Sequence, residues 1–199
     1  MNKIYVGDVV VIPLAADPPL PAKPRPCERI LPAPFIIGQA NTWWCWAAGY
    51  DSFSMISMRP HKSQAELLAE FPPNTPPYTD GNGGLLKPGW DLLKLRFMLT
   101  SRIFSVKNSA PDRPADLDPK FLRALLDQKG HLLVVWNLRP GVAHTNVVYG
   151  VSFCDAVHKI MVMDPQGGGK LETRPLSTYT GSDYLEFIWV DFDTPSMTE

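Results

Sequence analysis

Gln39-Ala40-Asn41-Thr42-Trp43-Trp44-Cys45-Trp46-Ala47-Ala48 is the stretch on which the reading of this 199-residue chain turns. Three tryptophans surround one cysteine, and apolar residues then recur at helical spacing: Trp46, Tyr50, Phe53 and Ile56. Ala47, Ala48, Met55 and Met58 fill much of the remainder. The pattern predicts a helix from about Trp43 to Met58, buried on several sides and capped by Asn41 or Thr42. Cys45 would lie in its first turn, where the macrodipole and free N–H groups favour negative charge.

Working outward, Ser63 to Phe71 reads as a second short helix, and Pro88 to Leu99 as a third carrying Leu92, Leu93, Leu95 and Phe97. Asp80-Gly81-Asn82-Gly83-Gly84 supplies turn chemistry between them. A fourth helix starts with Asp118 as cap and Pro119 as first residue, and runs to Gln128 before Gly130. The pattern then changes to strands at Leu132–Leu138, Thr145–Phe153, Lys159–Met163 and Tyr184–Phe192. Helices first and strands second is an α+β signature with an antiparallel sheet. In the other direction, Ile4 to Leu14 can form a strand. Prolines then recur from Pro13 to Pro34 too often for helix or central strand. Residues 1–34 are therefore expected as a Pro-rich extended segment, lying over the surface or strapping the cleft, and 35–199 as one domain.

Composition bounds the function. An apolar fraction of 45% with 20% charged residues is that of a soluble globular chain. A formal net charge of -1 gives no global field to draw nucleic acid or acidic membranes. No stretch reaches the roughly 20 apolar residues of a membrane span. The start at Met1-Asn2-Lys3-Ile4 is unlike a cleavable secretory signal, so synthesis in a cytoplasm is expected, with export by a signal-free route left open. Three cysteines, Cys27, Cys45 and Cys154, lack framework spacing; Cys154 reads as a small buried apolar residue, with a Cys27–Cys154 bridge as the less favoured alternative. No zinc-ligand spacing or phosphate-binding glycine loop is present, so no metal or organic cofactor is expected.

Three features favour a Cys45 thiolate: the helix start, an imidazolium from elsewhere, and shielding of that pair by Trp43, Trp44 and Trp46. The bland alternative is a core cysteine in an aromatic cluster. Of the four histidines, His144 opens the strand Thr145-Asn146-Val147-Val148-Tyr149-Gly150-Val151, a rigid place from which to present a base. His61, His131 and His158 read as surface or structural residues. Asp164 ends the strand Ile160-Met161-Val162-Met163. A hairpin through Asp155 to His158 would bring Asp164 to the same sheet edge as His144, where it can orient the ring. A turn aspartate before Pro165 is the competing reading. Gln39, six residues before Cys45, can donate beside the Cys45 N–H to an oxyanion.

The order Gln39…Cys45-Trp46, then His144 before a strand ending Tyr149-Gly150, then Asp164-Pro165, resembles the papain-like cysteine peptidase superfamily. Within it the pattern is nearest to the bacterial branch of C39-like bacteriocin-processing peptidases and AvrRpt2-like effectors, through Trp-Cys-Trp-Ala-Ala and an Asp rather than an Asn as third member. The resemblance spans about Phe35 to Phe192. It implies a papain-like fold, with a helical part and buried nucleophile helix packed on a C-terminal antiparallel sheet. It implies a Cys45 nucleophile, a His144 base, an orienting Asp164, a Gln39 oxyanion donor, and tryptophans at the cleft. The implied reaction is hydrolysis of peptide bonds, with cleavage after small residues such as Gly-Gly.

Such a chain would take a protein or peptide substrate. A free-standing peptidase of this size fits a bacterial effector or interbacterial toxin, with a cognate inhibitor or immunity protein as partner. Two alternatives stay open. The same residues serve deamidases, transglutaminases and peptidoglycan amidases. A module that keeps the fold without catalysis is the third.

Overall fold

The structure, a computed structural model, describes residues 25–57, 61–106, 117–139 and 142–191. Seven strands and five helices follow in the order β1 (Glu28–Ile30), α1 (Cys45–Ile56), α2 (Gln64–Glu70), α3 (Lys87–Arg96), β2 (Leu99–Val106), α4 (Pro119–Lys129), β3 (Leu132–Arg139), β4 (Val142–Ser152), β5 (Lys159–Asp164), β6 (Lys170–Pro175), α5 (Ser177–Thr180) and β7 (Tyr184–Val190). The strands form one antiparallel sheet in the order β2-β7-β3-β4-β5-β6. The short β1 pairs with the far end of β4, Glu28 opposite Ser152 and Ile30 opposite Gly150.

Both faces of the sheet are covered, which makes three layers. Leu132, Val134 and Trp136 of β3 join Leu122, Leu125 and Leu126 of α4 and Tyr179 of α5 in one core. Leu133 and Val135 face the other way, into a second core with Trp46, Ala47, Tyr50 and Phe53 of α1. Successive strand side chains point to opposite faces. With both faces buried, β3 therefore reads as a continuous apolar run. α1 lies close on β4, for a Cβ on Gly49 would come within 2.8 Å of the Thr145 methyl. Among the described residues no helix is long and apolar enough to cross a membrane.

Several elements differ from expectation, each for a local reason. α1 starts at Cys45 rather than Trp43, with Trp44 as N-cap and no side chain capping it among the described residues. Asn41, expected as a cap, instead closes the turn before the helix: its carbonyl accepts from Trp44 N at 3.0 Å and its side chain from Trp43 N at 3.2 Å. α3 stops at Arg96, and Met98 takes a left-handed φ of 51° that turns the chain into β2, a strand the sequence reading did not include. β6 was missed as well. Lys170, Glu172 and Arg174 alternate along this edge strand, a charged pattern typical of sheet edges. The expected Ile4–Leu14 strand lies outside the described residues.

Cys154 is not a free buried thiol. It forms a disulfide with Cys27, Cα–Cα 5.0 Å, across a sequence separation of 127. The pairing of β1 with β4 creates the proximity, since Phe153 N donates to the Cys27 carbonyl at 2.9 Å. Nothing in the cysteine spacing signals it.

Candidate active site

Cys45, the free cysteine of the chain, is the first residue of α1 and is buried. The N–H groups of a first helical turn have no partner within the helix. With no capping side chain, those beside Cys45 remain aimed at whatever lies before the helix. Trp46, one residue on, is fixed by its indole N–H, which donates to the Gly83 carbonyl at 2.9 Å.

His144, near the start of β4, donates through Nε2 to Asp164 Oδ1 at 2.8 Å. Val147 pairs with Met163, so β4 and β5 run side by side and bring the start of one to the end of the other. Asp164 is 1% exposed and His144 6%. Burial alone would lower the pKa of His144. Hydrogen-bonding and charge interactions with Asp164 and Cys45 outweigh it and raise the ring to about 9. Burial would likewise raise Asp164, but the His144 ring, the Gln166 amide and the charge of Arg174 hold it at about 2. Both shifts favour an imidazolium against a carboxylate.

Gln39, Cys45 and His144 line one cavity of about 410 Å³, with Trp43 and Trp46 among its walls. Asp164 stands behind His144, off the cavity wall. Trp44 does not line the cavity; its indole packs where a Cβ on Gly83 would meet it at 2.7 Å. Gln39 is held by its backbone, with N donating to the Pro165 carbonyl at 3.0 Å. Its side-chain Nε2 donates to the Thr42 carbonyl at 2.8 Å, which uses one of its two N–H groups and leaves the second. Gln64 of α2 clamps the residues on either side: Nε2 donates to the Gly38 carbonyl at 2.9 Å and Oε1 accepts from Ala40 N at 3.1 Å.

The other histidines lie elsewhere. His61 pairs with Asp51 at 2.7 Å, and His131 contacts the Pro32 carbonyl at 2.8 Å, its pKa pushed down by burial. His158 is exposed and its ring stands nearly perpendicular to that of Phe153.

Sequence reasoning missed two parts of this site. The far wall of the cavity comes from the turn after Thr79 and the start of α3, including Asp80, Leu85, Leu86 and Trp90. In the sequence, Asp80-Gly81-Asn82-Gly83-Gly84 signals only a turn. Asp80 Oδ1 accepts from the Asn82 and Gly84 amides at 2.8 and 2.9 Å and shapes that wall. The other is Arg174, whose guanidinium reaches the second oxygen of Asp164. No local pattern marks it.

No family model and no curated protein matches the chain. Among solved structures, a chain from work on the limited antibody cross-reactivity between the mite allergens Blo t 1 and Der p 1 aligns with 12% identity and a TM-score of 0.43. The alignment covers 88% of this chain and 75% of that one.

Proposed function

We propose that the chain is a papain-like cysteine peptidase that works through Cys45, His144 and Asp164. The observation that carries this reading is the placement of His144. Its Nε2 is taken by Asp164 at 2.8 Å, while its ring lines the same cavity as Cys45. That leaves Nδ1 for the sulfur. The ring is held well above its ordinary pKa, so at neutral pH it is an imidazolium beside the thiol. A thiolate–imidazolium pair at a helix start is the reactive form of a nucleophilic cysteine.

In this reading the Cys45 thiolate attacks the carbonyl carbon of a bound peptide. The C=O electrons move onto oxygen, and the Cys45 N–H with the second Gln39 N–H stabilises that oxyanion. His144 gives its proton to the departing amine as the C–N bond breaks. Water then attacks the thioester, His144 takes its proton, and the acid product leaves with the thiolate restored. Asp164 keeps the ring oriented and its charge compensated throughout.

The finer reading is a C39-like or AvrRpt2-like enzyme that cuts after small residues such as Gly-Gly. Trp43 and Trp46 support it, since both line the cavity that holds Cys45. An exported effector or toxin with a cognate inhibitor fits the Cys27–Cys154 disulfide, because such bonds persist outside reducing cytosol.

The test is labelling and product analysis. Cys45 should be alkylated by iodoacetamide at pH 6 much faster than a free thiol. Incubation with cell lysate should create new protein N-termini that are absent with Cys45→Ala. Deamidated glutamines without new termini would replace the peptidase by an amide hydrolase of another kind. An unreactive Cys45 would end the enzymatic reading.

A further inference from the structure

Asp164 is buried on a sheet face crowded with polar groups, and its two oxygens are used differently. Oδ1 accepts from His144 Nε2 at 2.8 Å and from the Gln166 amide at 2.9 Å. Oδ2 accepts from Arg174 Nη2. Arg174 belongs to β6, next to β5, with Arg174 opposite Ile160 and Glu172 opposite Val162. Ile160 and Val162 belong to the core that contains Trp136 and Tyr179. Alternation along β5 and β6 therefore puts Asp164, Glu172 and Arg174 on that same face.

The guanidinium is itself fixed from two further sides. Nε donates to Glu172 Oε2 at 2.8 Å, and Nη1 to Asn146 Oδ1 at 3.3 Å. Asn146 is fully buried. Its Oδ1 also accepts from Trp136 Nε1 and Tyr179 OH, both at 2.9 Å. The charged groups that face Arg174 are thus Asp164 from β5 and Glu172 from β6, with Lys170 reaching Glu172 at 2.5 Å. The Tyr179 hydroxyl faces it from α5, its ionisation pushed up by burial. The titratable groups facing His144 are Asp164 and Cys45.

We infer that Arg174 is a positioning residue of the candidate site: its fork locks the Asp164 carboxylate in the rotation that presents Oδ1 to His144. This inference rests on the peptidase reading for its consequence on Cys45, but its geometric claim concerns only the Asp164–His144 bond. A carboxylate held by one partner can rotate and can be protonated; one held at both oxygens by fixed donors cannot readily do either. Arg is suited to this because three separate nitrogens of one rigid plane engage Glu172, Asn146 and Asp164, whereas an ammonium offers its donors from a single nitrogen.

Two readouts test it on the whole chain with Arg174→Met and Arg174→Lys. The first is the pH dependence of Cys45 alkylation. An acid limb moved to higher pH in Arg174→Met is expected, because losing the guanidinium weakens the carboxylate that compensates the His144 ring beside Cys45. Arg174→Lys should keep the limb near its wild-type position but react several-fold more slowly. The second is the downfield imidazole N–H resonance of His144, which should move upfield or broaden in both variants. Wild-type limb, rate and resonance in either folded variant would overturn the inference. Should Arg174→Met fail to fold, Arg174→Lys decides alone. If wild-type Cys45 is itself unreactive, the peptidase reading fails, and the resonance still decides whether Arg174 holds the Asp164–His144 bond.

Discussion

The Gln39 amide donates to the carbonyl of Pro165 at 3.0 Å, so the chain that leaves Asp164 also fixes the loop that carries Gln39. One backbone bond ties the proposed oxyanion donor to the end of the strand bearing the proposed triad carboxylate. The contact is close next door: a Cβ on Gly38 would sit 2.5 Å from the backbone carbon and oxygen of Gly168. Neither backbone atom can swing aside as a side-chain tip could.

Gly38→Ala should therefore push the Gln39 loop off Pro165. We expect a loss of about 1–3 kcal/mol of stability, as for overpacking at a tight contact. Turnover should fall further than stability alone explains. Urea unfolding alongside peptide-cleavage kinetics checks this, and a variant with wild-type values for both would contradict it.

The His144–Asp164 pair gives a pH signature with a definite sign. The ring, ordinarily near 6.5, is held at about 9. Its stabilisation is fully present below 6.5 and is lost as pH rises through 9. The span corresponds to at most about 3 kcal/mol. Asp164, held at about 2, acts oppositely: its contribution is present above its ordinary 3.8 and lost as pH falls through 2. Denaturation of wild type and His144→Gln at pH 6 and pH 9 isolates the histidine term. The difference between the two proteins should shrink at the higher pH.

The disulfide should appear as one cross-linked peptide joining Cys27 to Cys154 in a non-reduced digest, with Cys45 alone alkylated. Cys154→Ser, or treatment with a thiol reductant, should lower stability by about 2–4 kcal/mol, because a long loop is released in the unfolded chain. Chemical unfolding with and without reductant measures it.

Away from the cleft, Lys94 of α3 reaches Glu186 of β7 at 2.5 Å, and Glu186 is 1% exposed. Burial would raise the pKa of that carboxyl, but Lys94, Ser101 and Tyr184 hold it below its ordinary value. Lys94→Met should cost about 3–5 kcal/mol by stranding a buried charge, and Lys94→Met with Glu186→Leu should recover much of that loss. Unfolding midpoints of the single and double variants decide it.

Much of this was legible in the chain. Cys45 announced itself through its tryptophans and the apolar spacing that follows. His144 and Asp164 could be paired because a hairpin forces the start of one strand beside the end of the next. The short helix after Ser63 and the Asp118-Pro119 start also stand as expected, and the structure adds a capping box that closes the first through Ser63 and Glu66 in both directions. β6 was not legible, because a charged edge strand has no apolar face to alternate. Trp44 could not be told from Trp43 and Trp46, since its packing against Gly83 comes from a segment distant along the chain.

The sequence by itself determined α1 to α4, the strands β3, β4, β5 and β7, and the residue types able to do the chemistry. Those follow from periodicity, caps and turns, which act over a few residues. Only the tertiary structure decided that Cys27 meets Cys154, that Gln64 clamps the Gln39 loop, and that Arg174 holds Asp164. Each of these joins segments distant along the chain through sheet register and layer packing. No local spacing encodes such contacts, because they exist only once the apolar faces have been buried against one another.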